Sequence, residues 1–147
     1  MAGKELRSKI RDVRKWLDSH PFVHWFQLTL IKINKNSAIV LMPVFLKECT
    51  RDKVMTGGVH AVLGNAAGVA LAMLHSSHFT PLAEIKNLKF YRPVVLEKDE
   101  ELVAEAKFLA IQNNRIVIKV EIKNRKDDKL KADGIFEYAL LISEYRT

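Results

Sequence analysis

The sequence has few of the features that mark secreted or membrane proteins. Only one of its 147 residues is a cysteine, Cys49, so no intramolecular disulfide can form, and we expect a reducing, cytoplasmic location. The basic N-terminal segment is interrupted by charges and lacks the apolar stretch of a signal peptide. The longest apolar run, Val59 to Leu74, is shorter than the ~20 residues that span a bilayer. These absences exclude a disulfide-stapled fold and favour a buried helix, with no membrane partner.

The sequence also lacks the residues that several common kinds of active site need. The five histidines and Cys49 show neither a Cys-x-x-Cys spacing nor a histidine pair around a carboxylate, so we predict no metal site. No serine lies in a nucleophile-elbow motif. No repeat, low-complexity segment or linker divides the chain. With 48% apolar residues, a chain of 147 residues fits a single compact domain.

Positive charge is in excess, with 24 Lys and Arg against 17 Asp and Glu and a formal net charge of +7. Nucleic acid, a membrane surface or a phosphate-bearing small molecule could each match this balance. The basic turn from Lys123 to Lys131 has no interleaved aromatic residue and contains Asp127 and Asp128. Nucleic-acid surfaces usually combine basic and aromatic residues, so we expect no nucleic-acid partner.

The spacing of apolar residues predicts an order of helices and strands. Between Lys4 and Ser19 apolar residues recur every three or four positions, which predicts an amphipathic helix within residues 1–20 that Pro21 ends. A single domain over residues 21–147 follows. Its predicted elements are strands Phe26–Ile33 and Ser37–Leu46, a long apolar helix from Gly57 to Leu74, and strands Ala83–Tyr91, Leu102–Gln112, Arg115–Lys123 and Leu130–Ser143.

This order favours an α+β fold, because the strands are grouped and do not alternate with helices. A helix that is apolar on nearly every face must be covered all round. One curved antiparallel sheet of about six strands, wrapped round the long central helix, would cover most of it. The open side of the helix would need a second copy of the chain.

The start of the central helix is a candidate binding site. Thr56 can cap the helix and leave the N–H groups of Gly57, Gly58 and Val59 without carbonyl partners. Such groups bind a phosphate or an oxyanion, and the absence of Cβ atoms on the glycines lets a ligand carbonyl come close. A plain tight turn would use the same pair of glycines, so both interpretations stay open at this point.

Small residues share one face of the central helix, and Asn65 is the polar side chain among them. The face consists of Gly58, Ala61, Asn65, Gly68 and Ala72. It permits close approach of a second helix, and Asn65 either hydrogen-bonds across that contact or points at a ligand. His60 lies about 140° round the helix from Asn65, so the two cannot form a dyad. His60 is either a structural histidine or a minor catalytic candidate.

These motifs resemble the hotdog-fold thioesterases of the phenylacetate-degradation (PaaI-like) type. The likeness rests on the segment from Thr56 to Asn65 and on the strand from Ile85 that leads into Arg92-Pro93, and it spans about residues 21–142. In that family a His-Gly-Gly motif is followed by an Asp in the helix and later by a strand that ends in Arg-Pro. The resemblance implies the hotdog fold, in which a curved antiparallel sheet wraps round a long helix.

The resemblance also implies an acyl-CoA thioesterase with its site between two subunits. Gly57 and Gly58 would polarise the thioester carbonyl, coenzyme A would be part of the substrate, and no separate cofactor is implied. The implied assembly is a homodimer or a dimer of such dimers. This sequence has Thr56 where the family usually has His, and Asn65 where it has the catalytic Asp.

The replacement of Asp by Asn65 changes what the site can do. An amide cannot take up a proton, so Asn65 can orient water or substrate but cannot act as a general base. Ala83, near the position where some members have a water-positioning Ser or Thr, cannot orient anything. Asp52 or Glu84 could supply a carboxylate instead. A non-catalytic acyl-CoA-binding protein of the same fold is therefore the alternative to an enzyme.

Basic residues near strand ends and turns could bind the phosphates of coenzyme A. We predict Arg92, Arg115 and Glu84 as substrate-binding residues. Further basic candidates in the same regions are Lys123, Arg125 and Lys126. The alternative for each of these residues is that it is an ordinary solvent-exposed charge in a turn and binds no ligand.

Overall fold

The chain folds into three α-helices, one short 3₁₀ helix (Leu46–Glu48) and six strands, described by a computed structural model for residues 2–76 and 78–140. In chain order the α-helices and strands are α1 (Gly3–Asp18), α2 (Pro21–Trp25), β1 (Thr29–Ile33), β2 (Ser37–Pro43), α3 (Gly57–Leu74), β3 (Leu82–Phe90), β4 (Glu101–Gln112), β5 (Arg115–Asn124) and β6 (Leu130–Ala139). The predicted α+β order is confirmed. Residues 141–143 of the last predicted strand lie outside the described residues.

Three boundaries near the N-terminus differ from the prediction. Pro21 begins the short helix α2, because its fixed φ and missing N–H suit the first helical position. The first strand begins at Thr29 and not at Phe26, since Gln27 adopts a left-handed conformation (φ 52°) that turns the chain between α2 and β1. The second strand already ends at Pro43, which has no N–H to continue a ladder.

All six strands form one antiparallel sheet in the order β1-β2-β4-β5-β6-β3. The predicted turn between β4 and β5 is confirmed, with Asn113 and Asn114 both at positive φ. Strand β3 lies at one edge of the sheet and pairs with β6 on its inner side. It bulges at Asn87 (φ 55°), opposite Gly134, where a Cβ atom would lie 3.2 Å from the Cα of Leu88.

The outer face of the sheet carries charges that pair between strands, and the pair of Arg115 and Glu84 reaches across β6. Lys119 lies 3.2 Å from Asp133, and Arg115 lies 2.7 Å from Glu84. Further cross-strand pairs are Lys107–Glu121, Lys86–Glu137, Arg115–Glu137 and Arg125–Glu101. Each exposed pair adds little stability. Their alternation means that this part of the described surface carries no continuous patch of one sign.

Helix α3 is the core element round which the sheet curves. It has the length and mean hydropathy of a membrane span, but 67% of it is buried inside the protein. Gly68, a member of the small-residue face, and Gly64, which lies outside that face, both meet aromatic side chains of strand β6. A Cβ atom on Gly64 would lie 2.8 Å from the ring of Phe136, and one on Gly68 would overlap the hydroxyl of Tyr138. The two glycines therefore make room for two large aromatic side chains.

Helix α1 of the same chain packs against α3. Its side chains Val13 and Leu17 are buried in the common core, and Met73 of α3 packs against that core. The N-terminal turn of α3 stays open, with Gly57 and Gly58 exposed. The fold thus buries the C-terminal part of α3 within one chain and leaves its start accessible.

We predict that Gly68→Ala destabilises the protein by about 1–3 kcal/mol, because the added methyl group overpacks the contact with Tyr138. This loss should outweigh the better helix propensity of alanine, which is worth about 1 kcal/mol. The free energy of unfolding in urea measures the effect. Gly3→Ala is the matched control, since its Cβ atom would meet nothing within 4 Å. Equal effects of the two substitutions would contradict the proposed packing constraint.

Candidate active site

The first turn of α3 presents two backbone N–H groups to the surface. Thr56 occupies the N-cap position, but its side chain makes no capping hydrogen bond, contrary to the prediction. Its carbonyl oxygen accepts the N–H of Val59 at 3.0 Å, so Val59 does not contribute a free donor. Gly57 and Gly58 are exposed, and within the described part of the chain their N–H groups have no partner. Two free N–H donors at the N-terminal end of a long helix form a site for an anion or an oxyanion.

There is room for a ligand at this turn. A Cβ atom on Gly58 would meet no atom within 4 Å, and one on Gly57 would lie 3.6 Å from the ring of Phe90. Phe90 is 52% exposed and forms an apolar surface beside the two amides. A carbonyl group with an apolar substituent could therefore approach both N–H groups.

Backbone hydrogen bonds on both sides hold the segment that precedes α3. The N–H of Met55 donates to the carbonyl of Val94, and the N–H of Thr56 donates to the carbonyl of Glu48, both at 2.9 Å. Isolated bridges join Cys49 to Met55 and Val54 to Val95. The start of the helix is thus fixed between two segments that are distant in sequence.

A buried polar cluster in turn holds the Val94–Val95 segment. Asp99 accepts a hydrogen bond from Asn124, lies 3.1 Å from the ammonium group of Lys131, and accepts the N–H of Val95 at 2.8 Å. Lys131 also donates to the carbonyl of Pro93 at 3.2 Å. Burial alone would raise the pKa of Asp99, but the hydrogen bonds from Val95, Lys131 and Asn124 hold it below its ordinary value. The carboxylate stays charged and keeps the loop in place.

Glu48 is a buried carboxyl group next to the start of α3, and sequence reasoning did not single it out. Its side chain is 3% exposed. Oε1 accepts the N–H of Phe45 at 3.0 Å, whereas Oε2 is buried and has no partner among the residues described. Burial raises the pKa of Glu48, and the bond from Phe45 and the charge of Lys47 only partly oppose this effect. A glutamate in a polar segment gives no sign in the sequence that it will be buried.

His60 lies beneath the first turn and does not face its open side. The side chain is buried, its Nδ1 lies 3.1 Å from the carbonyl oxygen of Gly57, and its ring packs edge-on against Phe90. Burial lowers the pKa of His60, and hydrogen bonds with the Gly57 and Thr56 carbonyls oppose this only in part. A neutral imidazole that donates from Nδ1 to Gly57 supports the turn from below.

Asn65 is held from behind by strand β6. The hydroxyl of Tyr138 donates to Asn65 Oδ1 at 3.0 Å. Tyr138 is fully buried, which raises the pKa of its phenol well above the usual range, so the hydroxyl remains a donor. At 1.5 Å per residue Asn65 lies about 10 Å along the helix from Gly58. One chain therefore does not bring Asn65 and the free N–H groups together.

The three predicted substrate-binding residues lie in two different places. Arg92 is exposed and follows Phe90, so it lies at the end of β3 next to Gly57; its Nη1 donates to the carbonyl of Leu130 at 3.3 Å. Glu84 and Arg115 form an ion pair near the opposite end of β3. Within one chain, they do not converge with the helix start.

Among the described residues, the site has neither a cluster of metal-binding side chains nor an activated thiol. Among residues 2–76 and 78–140 no three His, Cys, Asp or Glu side chains form a metal-binding cluster. Burial, and to a lesser extent the charge of Glu48, raises the pKa of the Cys49 thiol. Because the thiolate is the reactive form, Cys49 is a weak nucleophile.

Sequence comparison identifies the family. The profile of the thioesterase superfamily matches residues 53–131, which is more than half of the chain and includes α3 and strands β3 to β5. The chain belongs to the thioesterase superfamily. No curated protein sequence matches it significantly.

Solved structures show the same hotdog fold. The Escherichia coli PaaI protein from the phenylacetic acid degradation operon is similar with a TM-score of 0.81 at 16% identity, over 93% of this chain and 96% of that chain. A thioesterase from Haemophilus influenzae has a TM-score of 0.75 at 19% identity, over 90% and 91%. A conserved protein from Pseudomonas aeruginosa has a TM-score of 0.73 at 24% identity, over 86% and 98%. The predicted hotdog fold is confirmed.

We predict that Glu48→Gln changes how the free energy of unfolding depends on pH. Because the folded state raises the pKa of Glu48 above its ordinary value of 4.5, its stabilising contribution is complete below that pH. It is lost as the pH rises through the folded-state pKa. Gln keeps the acceptor for Phe45 and carries no charge. The variant should therefore gain unfolding free energy relative to the wild type as the pH rises above 4.5.

Urea unfolding at a series of pH values measures this difference. Glu97→Gln is the matched control with the opposite sign, because the exposed ion pair with Lys53 lowers the pKa of Glu97. That control should lose stability relative to the wild type as the pH rises. A pH-independent difference for Glu48→Gln would show that burial of this carboxyl has no effect on its ionisation.

Proposed function

We propose that this chain hydrolyses an acyl-CoA thioester, with the N–H groups of Gly57 and Gly58 binding the thioester carbonyl oxygen. The observation that carries the proposal is the pair of free, exposed donors at the start of α3, with open space in front of them. Negative charge develops on the carbonyl oxygen when water attacks, and fixed donors stabilise that charge. Membership of the thioesterase superfamily supplies the class of reaction.

The proposed site is shared between two copies of the chain in a homodimer. About 10 Å separates Gly58 from Asn65 along the helix, too far for both to contact one carbonyl group. In a dimer the start of one α3 would face Asn65 of the other. The edge strand β3 supports this arrangement, since its outer side has no pairing partner within the described residues. A dimer of such dimers is the larger assembly we expect.

Self-pairing of β3 about a two-fold axis would also give Glu84 and Arg115 a role. Symmetric strands pair antiparallel, so the Glu84 end of one β3 would approach the Phe90 end of the other. The Glu84–Arg115 ion pair of one chain would then lie near Gly57 and Arg92 of the other chain. These arginines would bind the phosphates of coenzyme A through charge-assisted hydrogen bonds.

The reaction needs water and no further cofactor. Attack of water on the carbonyl carbon forms a C–O bond, and collapse of the intermediate breaks the C–S bond. The coenzyme A thiolate leaves and takes up a proton. Asn65 cannot accept the proton of the attacking water, and the protonated Cys49 thiol does not replace water as nucleophile. We therefore expect slow turnover in a cytoplasmic enzyme.

A second candidate function is acyl-CoA binding without hydrolysis. It is favoured by Asn65 itself, because general-base catalysis typically contributes ~10²–10⁴ in rate and an amide cannot supply it. Release of free thiol from a panel of alkyl and aryl CoA esters separates the two functions. Turnover above the spontaneous rate supports the enzyme. Thermal stabilisation by the same esters without turnover supports the binding protein.

We predict that Gly57→Pro lowers the rate of thiol release by about 10²–10³-fold, since it removes one donor to the oxyanion. Proline suits this first helical position, and the extended backbone of Thr56 (φ −60°, ψ 134°) is compatible with a following proline. Gly57→Ala is the matched control. It places a Cβ atom at an ordinary 3.6 Å from Phe90 but keeps the N–H group, so most of the activity should remain. Equal losses in both variants would contradict a role for the N–H group.

A further inference from the structure

We propose that Tyr138 is a positioning residue that holds the Asn65 side chain with its NH₂ group toward the shared site. Asn65 would then donate a hydrogen bond to the thioester and would not accept one from water. The identity of the ligand rests on the proposed function, whereas the role of Tyr138 rests on contacts within one chain.

Tyr138 and Asn65 contact each other through their side chains. The Tyr138 hydroxyl has one proton to donate, and it lies 3.0 Å from Asn65 Oδ1 and 3.5 Å from the backbone oxygen of the same residue. Normal O–H···O bonds measure about 2.5–3.0 Å, so Oδ1 is the better acceptor. If the amide were flipped, the hydroxyl would have only the distant backbone oxygen to donate to. The proton of a fully buried hydroxyl needs an acceptor at normal distance, which favours Oδ1 facing Tyr138.

Close packing makes the contact between Tyr138 and Asn65 rigid. The phenol lies in the space left by the missing side chain of Gly68, one turn along α3 from Asn65. A Cβ atom there would lie 2.9 Å from Cζ of the ring and would overlap the hydroxyl. Close packing on this side restrains the ring against the helix. The hydroxyl oxygen, and with it Asn65 Oδ1, therefore has a defined position.

The contact with Tyr138 leaves only part of the Asn65 side chain available to a ligand. An asparagine side chain has one acceptor oxygen and an NH₂ group with two donor hydrogens. Tyr138 occupies the oxygen, while the NH₂ group makes no hydrogen bond to the residues that the structure describes. Asn65 is only half-buried, so this group is the part of the side chain that can meet a ligand. Its complement on the substrate is the carbonyl oxygen, which would receive Asn65 as a third donor beside the N–H groups of Gly57 and Gly58 of the other chain.

The experiment replaces the amide by a group whose ionisation reports the hydrogen bond. In Asn65→Asp the Tyr138 hydroxyl should stabilise the new carboxylate and lower its pKa. Adding Tyr138→Phe removes the hydroxyl and keeps the ring, so that pKa should rise by about one unit, the size expected for losing a hydrogen bond to a charged acceptor. Carbon-13 NMR titration of the carboxyl group measures both values without any need for activity.

Tyr91→Phe in the Asn65→Asp background is the matched control, since it removes an exposed hydroxyl that binds Asp133. The pKa at position 65 should be unchanged by it. Equal pKa values with and without the Tyr138 hydroxyl would overturn the positioning role. If the pKa at position 65 depends on the Tyr138 hydroxyl but the protein releases no thiol, the positioning role stays intact. That result would count against the proposed hydrolysis.

NMR of the otherwise unmodified chain tests the donor role. A non-hydrolysable acyl-CoA analogue should shift the side-chain NH₂ signals of Asn65 together with the backbone amide signal of Gly58, and Tyr138→Phe should reduce the shift at Asn65 only. A response of Gly58 without one of the Asn65 NH₂ group would overturn the donor role. Loss of binding at both positions would contradict the shared acyl-CoA site and the donor role built on it.

Discussion

The contact of helix α3 with strand β6 is the constraint on which the rest of the structure depends. The sheet can wrap this closely round the helix because Gly64 and Gly68 have no side chains where Phe136 and Tyr138 enter. Interiors are packed to near crystal density, so a single methyl group at such a position forces the layers apart. The glycines lower helix propensity, and tertiary packing more than compensates for that loss.

The same contact connects the core to the candidate site. Tyr138 reaches the side chain of Asn65 only because Gly68 leaves space for its ring. A packing feature thus determines which atoms of a polar side chain are available to a ligand. Glycines that look like a helix-contact motif in the sequence therefore affect the chemistry of the site indirectly.

The open end of α3 depends on a second set of contacts. The buried charges of Asp99 and Lys131 are stable because each is hydrogen-bonded, and together they hold the loop that carries Val94 and Val95. That loop fixes the segment before the helix by backbone hydrogen bonds. The position of two free N–H groups thus rests on residues far away in the sequence.

The sequence alone determined the first helix, the central helix, the order of the six strands and the family, because periodicity and local motifs carry that information, but it did not indicate the short helix α2. It also indicated the free donors at Gly57 and Gly58. It could not show that Thr56 makes no cap, that Glu48 is buried, or that Arg115 pairs with Glu84, since each depends on neighbours brought close only by folding. Alternation along a strand predicts which residues share a face but not their partners. The tertiary structure decided that Tyr138 lies behind Asn65, because only the close approach of β6 to α3 joins residues that are 73 positions apart in the chain.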